Sequence, residues 1–393
     1  MSSTLEEVVA TPRYTKAQVD NCAFAAWYPS FERVAVKGAV IPLPPAVVRM
    51  LLSDGVALPT AYKDQAKSGG DALADVRAAV DAALVRFGGR VFPKLNWTSP
   101  RDASWMLGSM QCSNFEDVML LLQSSDFAVH DMTAAYAGCV DAVVATTTAV
   151  TPSEAAVTPT KRPNGPEDVY LVLKKWCNLY DSMLFRCFVV NHTLVGISQR
   201  NCDEFYPFLF AKQDHLCELI YAFFETHFRE SSAGSRTMKR RRSKFPDADY
   251  IFDVYVDKKY RVFLLDFNVF GAVTDPLMFS WDELMELRAA SGRSSERAGS
   301  DGEDDDDDVQ DVVDFRIVES ELSIRPNPLS GYRVPTDLVD HLAGGAGFEA
   351  FMEQVKRDNA VANDSESSDD TEQEHGADDD EDDGVLWGSD NDD

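Results

Sequence analysis

The sequence lacks the features of a membrane, secreted or disulfide-stabilised protein. It has no run of eighteen apolar residues, about the length that a membrane-spanning helix requires. Residues 1–20 are polar and contain no apolar segment typical of a secretory signal. The seven cysteines are odd in number and form no C-x-x-C pair, so neither a disulfide framework nor a zinc ribbon is indicated. We expect a cytoplasmic protein with reduced cysteines and no membrane contact.

The two common nucleotide-binding fingerprints are also missing. Neither G-x-x-x-x-G-K-[ST] nor G-x-G-x-x-G occurs. A P-loop domain and a Rossmann domain are therefore not indicated. A nucleotide bound by this chain would need cationic side chains drawn from several separate segments.

The negative charge is concentrated in two segments. The net charge is −29, and residues 301–314 and 364–393 contribute 24 of these negative charges, without a single Lys or Arg. The rest of the chain is close to an ordinary globular protein in charge. We therefore expect no direct nucleic-acid partner and no mimicry of nucleic acid.

Segments without a hydrophobic period divide the chain. We predict a flexible N-terminus and one globular domain with three disordered insertions, followed by a disordered acidic tail. The N-terminus is residues 1–20, and the globular domain is residues 21–345 with insertions near 145–167, 231–243 and 289–311. The acidic tail is residues 358–393.

Strand and helix patterns alternate in the globular part. Short strands are predicted at 91–97 and 170–176, and hairpins at 185–200, around Asn191 and His192, and at 250–270. Apolar residues from Phe205 to Phe228 recur at helical spacing, which is typical of a core face. The mixture predicts an α+β fold, mixed with α/β features.

Oxygen-bearing side chains gather on the second hairpin. Asp266 and Asn268 share one face of a strand, and Asp253 lies diagonally across if the turn centres on Lys258 and Lys259. Such ligands suit Mg²⁺, which commonly bridges to phosphates. The alternative is that the two aspartates accept hydrogen bonds from backbone or arginine donors.

Four cations complement these acids. Lys94 and Lys174 lie on predicted strands, and Arg186 and Arg200 occupy the outer ends of the two arms of the first hairpin. A bound triphosphate needs several such cations in addition to Mg²⁺. For each cation alone, the alternative is a solvated strand end.

Several stretches resemble the cell-division-cycle protein 123 family. In chain order, they are CAFAAWYP from Cys22, FPKLNWTSPRDA from Phe92, LVLKKWCN from Leu171, FRCF from Phe185, GISQR from Gly196, FDVY from Phe252, LDFNVFGAVT from Leu265 and SGYRVPTD from Ser330. The resemblance covers most of residues 20–340. It implies an ATP-grasp fold, in which ATP lies between two lobes, and a chaperone that assembles translation initiation factor 2 by binding its gamma subunit.

The resemblance also implies roles for individual residues. Lys94 and Lys174 look like nucleotide lysines, with Asn96 and Trp97 beside the first. Trp176 and Cys177 fall where a hinge meets adenine, and Arg186 and Arg200 where phosphates lie. The set of Asp253, Asp266 and Asn268 looks like the Mg²⁺ ligands and completes the ATP site.

Two departures from ATP-grasp ligases favour ATP that is bound rather than consumed. Ligases of that fold typically have Glu at the place of Asp266, and no Gly-rich phosphate lid is evident. We therefore expect a monomeric assembly chaperone rather than an enzyme. An ATP-grasp carboxylate–amine ligase is the alternative, and a nuclear acidic chaperone for basic proteins is a third hypothesis.

Two charged segments remain. Val385, Leu386 and Trp387 interrupt the acidic tail and form a candidate docking motif for the gamma subunit, with a purely solubilising tail as the alternative. The basic run 239–244 is interpreted as an exposed loop, with nuclear import as the alternative.

Overall fold

The computed structural model describes residues 11–53, 71–143, 162–229, 243–297 and 313–325. The chain divides into two compact units. Among the described residues, the first unit comprises 11–36, 135–143, 162–164, 178–229, 243–297 and 313–325, and the second unit comprises 37–53, 71–134 and 165–177. The predicted mixed α+β fold is confirmed, and no helix in the described ranges is long and apolar enough to cross a membrane.

The elements alternate along the chain, as their sequence patterns predict. The helices are α1 Lys16–Asn21, α2 Phe24–Phe31, α3 Pro45–Leu51, α4 Asp71–Arg86, α5 Phe115–Gln123, α6 Asp126–Thr133, α7 Gln213–His227 and α8 Trp281–Arg297. The strands are β1 Gly38–Leu43, β2 Val91–Lys94, β3 Val169–Lys175, β4 Leu184–Val190, β5 Thr193–Gln199, β6 Tyr250–Val256, β7 Val262–Val269 and β8 Asp314–Arg316. Short 3₁₀ helices lie at Arg101–Met106, Asp181–Met183, Pro207–Lys212 and Glu321–Ser323.

The second unit is built on a three-stranded antiparallel sheet in the order β1-β3-β2. Its core is aliphatic and includes Ile41, Val80, Leu121 and Leu171, contributed by both strands and helices. Both predicted strands are found, as β2 and β3. The first ends at Lys94 rather than at residue 97, because the backbone turns there and Leu95 N donates to Thr98 O.

The first unit contains a five-stranded sheet in the order β7-β6-β4-β5-β8, in which only the β5–β8 pair is parallel. Its hairpin β4–β5 turns at Asn191 and His192, whose φ angles are 48° and 62°. Positive φ at both central residues is the geometry that two-residue hairpins favour, and asparagine tolerates it well. The predicted hairpin is confirmed.

The hairpin β6–β7 is also confirmed, and Asp257 organises its turn. One carboxylate oxygen of Asp257 accepts from the backbone N–H of Lys259 and of Arg261, and the other accepts from Arg261 Nε at 2.7 Å. Tyr260 completes the turn with a φ of 58°. This turn is longer than one centred on Lys258 and Lys259, so the cross-strand partners differ from the predicted ones.

The segment from Phe205 to Phe228 differs from its prediction at one end. The helix α7 begins at Gln213, and its residues Leu216, Ile220 and Phe224 are buried as expected. The preceding turn is 3₁₀, with three residues per turn rather than 3.6. Phe208 consequently leaves the core face and has 41% of its surface exposed.

Two segments predicted to be flexible or disordered contain helices. Helix α1 lies inside the predicted flexible N-terminus, where Thr15 and Gln18 form a capping box. Helix α8 extends to Arg297, inside the insertion predicted near 289–311. The described residues leave out the rest of that insertion, most of the insertions near 145–167 and 231–243, and the basic run except Ser243 and Lys244. They also leave out the tail with its Val385–Trp387 motif.

Candidate functional site

The centre of the candidate site in the first unit is Asp253, a buried carboxylate on β6. It lies directly opposite Arg186 of the neighbouring strand β4. Arg186 Nε donates to Asp253 Oδ1 at 2.8 Å, and Arg186 Nη2 donates to Asp253 Oδ2 at 2.9 Å. Two parallel hydrogen bonds of this kind form the strongest class of protein ion pair.

Two further side chains converge on the same carboxylate. Arg200 Nε donates to Asp253 Oδ2 at 3.1 Å, and Asn268 Nδ2 approaches the same oxygen at 3.4 Å. Arg200 comes directly after β5, where its backbone N–H donates to Leu184 O. The hairpin register therefore carries both arginines to one end of the β4–β5 pair, as the sequence predicts.

The charges in this cluster support one another. Burial alone raises the pKa of the Asp253 carboxyl, but Arg186 and Arg200 outweigh burial and hold that pKa well below its ordinary value. Burial likewise lowers the pKa of Arg186, and Asp253 more than compensates, so the pKa of Arg186 is raised. Both groups are therefore fully charged at neutral pH.

Asp266 lies directly across from Asp253, not diagonally as the sequence analysis predicts. The longer turn moves the register by one position, and a bulge at Leu265, between the pairs Asp253–Asp266 and Val254–Leu264, moves it by one more. The bulge also breaks the alternation of faces between Leu264 and Asp266. It brings Asp266 closer to Asp253 than an undisturbed ladder would.

The hydrogen bonds of Asp253 fit the alternative interpretation of the sequence, because this carboxylate accepts hydrogen bonds from arginine side chains. For Asp266, one oxygen accepts the backbone N–H of Phe267 at 3.2 Å. No group of three or more His, Cys, Asp or Glu side chains in the described ranges has the spacing of a metal site. The amide of Asn268 offers a further oxygen of a different kind beside Asp253.

The donor set nevertheless suits a hard divalent cation. Two carboxylates on facing strands and one amide oxygen are oxygen ligands of the kind that Mg²⁺ prefers. A carboxylate has about four acceptor positions, so Asp253 is able to keep its arginines and still accept a cation. Asn268 now directs its amide nitrogen at Asp253, and a half-turn of the amide would direct its oxygen there instead.

Arg186 has a third partner. Its Nη1 donates to the carbonyl oxygen of Asp275 at 2.8 Å, so every guanidinium nitrogen of Arg186 is used within the first unit. Arg200 keeps 27% of its side chain exposed. Of the two arginines, Arg200 is therefore the better placed to meet a ligand.

In the second unit, Lys94 and Lys174 lie on adjacent strands, β2 and β3. Lys94 is opposite Val172 and Lys174 is opposite Phe92, so the two lysines are diagonal neighbours on one face of the sheet. Their exposed fractions are 1% and 8%. Buried ammonium groups require negative or polar partners, which is a property of anion-binding sites.

Asn96 and Trp97 have a structural role in the loop after Lys94. Asn96 donates to Asp168 O at 3.0 Å and accepts from Tyr170 N at 2.7 Å, which ties the loop to the start of β3. The backbone N–H of Trp97 donates to Asp131. The side chain of Asn96 therefore anchors this loop to backbone partners, and its role as a nucleotide ligand stays a prediction.

Asp131 supports the loop after Lys94, a role that the sequence analysis missed. From helix α6 it accepts hydrogen bonds from Trp97 N, Thr98 N and Thr98 Oγ1. Burial outweighs these bonds and raises the pKa of its carboxyl, while the charge of Lys94 acts in the opposite direction. One acid in an amphipathic helix carries no signal of such a distant partner.

Trp176 and Cys177 come directly after β3, so the chain places them beside the lysine strand. The backbone N–H of Trp176 donates to Arg90 O at 3.2 Å. Burial raises the pKa of the Cys177 thiol to about 11. Cys177 is therefore a neutral thiol at physiological pH, and all seven cysteines are unpaired, in agreement with the predicted reduced state.

Comparison with known proteins reveals close relatives. A protein of Xenopus tropicalis named translation initiation factor eIF2 assembly protein is 34% identical over 355 residues, which cover 84% of this chain and 93% of that relative. A protein of Aspergillus terreus named cell division cycle protein 123 is 33% identical over 309 residues, which cover 74% of this chain and 68% of that relative.

A solved structure is similar as well. Cdc123 from Schizosaccharomyces pombe is 30% identical and superimposes with a TM-score of 0.56, covering 79% of this chain and 100% of that one. The model of the family described as D123 matches residues 62–342. The chain therefore belongs to the D123 family, which confirms the resemblance found in its sequence.

Proposed function

We propose that this protein promotes the assembly of translation initiation factor 2 and that it binds ATP and Mg²⁺ in an ATP-grasp fold. The first part is supported by relatives that carry the name eIF2 assembly protein and match 84% of the chain. The second part is supported above all by two facing carboxylates, Asp253 and Asp266, next to the amide of Asn268.

We assign the cation to this cluster in the first unit. Asp253, Asp266 and Asn268 would hold Mg²⁺, which neutralises charge on a bound triphosphate. Arg186 keeps Asp253 ionised and oriented, and Arg200 is assigned to a phosphate. These roles need side chains that lie close together on the adjacent strands β7, β6 and β4 and at the end of β5.

The nucleotide itself we assign to the face of β2 and β3 in the second unit. Lys94 and Lys174, buried side by side, would contact phosphates, and Trp176 and Cys177 would contact the adenine. Asp131 holds the loop that follows Lys94 through three hydrogen bonds. Its role is to keep that loop in place rather than to touch the nucleotide.

Thermal unfolding with and without MgATP tests nucleotide binding. A ligand at a hundred times its Kd stabilises by about 2.7 kcal/mol, which for a protein of this size is roughly 3–5 °C. Asp266→Ala should abolish the shift, whereas the exposed acid Asp181 should be replaceable by Ala without effect. Asp253 is unsuitable as the test residue, because its removal leaves Arg186 buried without its partner. An unchanged melting temperature of the wild-type protein would refute ATP binding.

The same samples separate bound ATP from consumed ATP. Stoichiometric retention of ATP, without ADP release, supports an assembly chaperone. ADP release in proportion to a new amide product would support the carboxylate–amine ligase instead.

For the partner, we propose the gamma subunit of translation initiation factor 2. Purified gamma subunit should copurify with the full chain and protect part of its surface from hydrogen exchange. Comparison with a variant lacking residues 358–393 tests whether the acidic tail contributes. Binding to another subunit but not to gamma would contradict the proposed partner.

A further inference from the structure

A group of aromatic side chains is exposed on the first unit, where α7 begins. The exposed fractions are 41% for Phe208, 37% for Tyr260 and 50% for Tyr180. Large apolar rings that cluster at the surface of a soluble protein mark interaction sites more often than rings scattered singly. These three rings come from separate segments of the chain, so the fold itself has gathered them.

Lysine ammonium groups join the rings into one surface. Lys212 Nζ lies 5.5 Å from the centre of the Phe208 ring and 5.3 Å from that of Tyr260. Lys258, in the same turn as Tyr260, lies 5.1 Å from the centre of the Tyr180 ring. Such distances are those of cation–π contacts. We call Tyr180, Tyr206, Phe208, Lys212, Lys258 and Tyr260 the aromatic–lysine patch.

Two further contacts extend and support the patch. The rings of Tyr206 and Phe208 lie 6.2 Å apart, and His215 packs edge-on against Tyr260 at 5.0 Å. The 3₁₀ helix Pro207–Lys212 places Phe208 outward while Leu209 is buried. The 3₁₀ helix therefore gives Phe208 and Lys212 a buried anchor in Leu209.

The chemistry of the patch selects an acidic peptide with an aromatic residue. Its rings offer faces for stacking, and its lysines attract carboxylates, with Lys259 beside them in the same turn. Asp181 and Asp214 in the adjoining segments, and Glu204 beside the Tyr206 hydroxyl, reduce this charge, while Asp257 is already bound by Arg261. The rings would supply affinity, and the lysines would supply preference for acidic sequences.

One segment of this same chain has the required chemistry. From residue 364 to residue 393 there are fifteen acids and no Lys or Arg, and Val385, Leu386 and Trp387 interrupt them. About sixty residues separate Arg325, the last described residue of the first unit, from Trp387. That length spans at most ~200 Å, so the chain is long enough to reach the patch.

We propose that residues 378–393 bind the aromatic–lysine patch of their own chain, with Trp387 against the rings of Phe208 and Tyr260. The patch shares no residue with the nucleotide site proposed above, and the inference does not depend on that site. It gives the acidic tail a binding site within the protein that carries it.

A labelled peptide tests this arrangement on full-length protein. Fluorescence anisotropy would follow a synthetic peptide of residues 378–393 binding to the wild type and to the triple variant Val385→Ala, Leu386→Ala, Trp387→Ala. A tethered competitor acts at an effective concentration on the order of 1 mM. The peptide should therefore bind the triple variant at least about tenfold more tightly than the wild type. Adding Lys212→Glu or Phe208→Ala to the triple variant should abolish this binding.

Controls make each result decisive. Leu322→Ala, which changes a 98% exposed side chain outside the patch, should leave peptide binding unchanged. Melting temperatures show whether Lys212→Glu and Phe208→Ala still fold, which their exposure leads us to expect. Equal affinity for wild type and triple variant would mean that the patch serves another protein's peptide, and no binding to either would mean that it serves none. If the wild-type tail competed with the peptide more strongly at higher protein concentration, the tail would be binding to a second copy of the protein. Each of these three results overturns the proposal.

Discussion

Arg186 and Asp253 face each other across strands β4 and β6, and two hydrogen bonds of 2.8 and 2.9 Å join them inside the protein. Each residue makes the burial of the other tolerable, because an isolated charge at either place would lose its hydration without compensation. This pair organises the candidate site: Arg200, Asn268 and Asp266 are arranged around it.

We predict that removal of one partner is far more harmful than removal of both. Arg186→Met should lower the free energy of unfolding by about 3–5 kcal/mol, because Asp253 then stays buried without its main partner. The double variant Arg186→Met, Asp253→Leu should recover most of that loss. Urea unfolding measures both.

The pair of Arg261 with Asp257 is the control for this prediction, because Asp257 is also buried but keeps two backbone N–H donors when its arginine is removed. Its arginine is 46% exposed, so Arg261→Met should cost about 1 kcal/mol or less. If the double variant were as unstable as Arg186→Met, the cost would lie in lost packing rather than in an uncompensated charge.

The lowered pKa of Asp253 predicts that the stability of the protein depends on pH. The two arginines lower the pKa of Asp253 in the folded protein, whereas in the unfolded chain an Asp titrates near about 3.9. A group whose pKa is lower in the folded protein than in the unfolded chain stabilises the fold at pH values above its unfolded pKa. This stabilisation is lost as the pH falls through the folded pKa. The stability difference between wild type and Asp253→Asn should therefore be constant from about pH 7 to pH 5 and shrink below about pH 4. Urea titrations at each pH would show it, and a difference that grows on acidification would contradict the assignment.

Asp131 should be essential for the loop after Lys94. Asp131→Ala removes the acceptor of three hydrogen bonds to Trp97 and Thr98, and leaves buried donors unsatisfied at a cost of roughly 2–4 kcal/mol. Hydrogen exchange at residues 96–98 should accelerate before global unfolding. Asp126→Ala, on the exposed face of the same helix, should leave that exchange unchanged.

Gly196 on β5 should not tolerate a side chain. A Cβ at this position would lie 2.7 Å from Cζ of Phe279, a buried ring that packs against Phe188 at 5.0 Å. Gly196→Ala should therefore destabilise by about 1–3 kcal/mol through overpacking. Combining Gly196→Ala with Phe279→Leu should restore part of that loss, because the leucine side chain is smaller and has no ring. Thermal unfolding would show this recovery. Simple additivity of the two losses would indicate that the contact is not the cause.

The sequence predicts local structure well where turn chemistry and alternation agree. Asn191 and His192 specify the first hairpin because both adopt positive φ, and the second follows from a polar turn between two apolar strands. Arg186 and Arg200 meet as predicted, because a tight hairpin leaves its register little freedom. The bulge at Leu265 carries no comparable sequence signal, so the partner of Asp266 was predicted wrongly.

By itself, the sequence determined the mixed α+β fold, the two hairpins and membership of the D123 family, because these depend on local patterning and on stretches of residues that can be recognised in order. Only the tertiary structure decided which groups hold Asp253, that Asp131 reaches the loop after Lys94, and that Phe208 lies at the surface beside Lys212 and Tyr260. Those relationships join residues far apart in the chain. They arise from strand register, a bulge and a 3₁₀ turn. A small shift in any of these moves a side chain to a different face of its strand or helix.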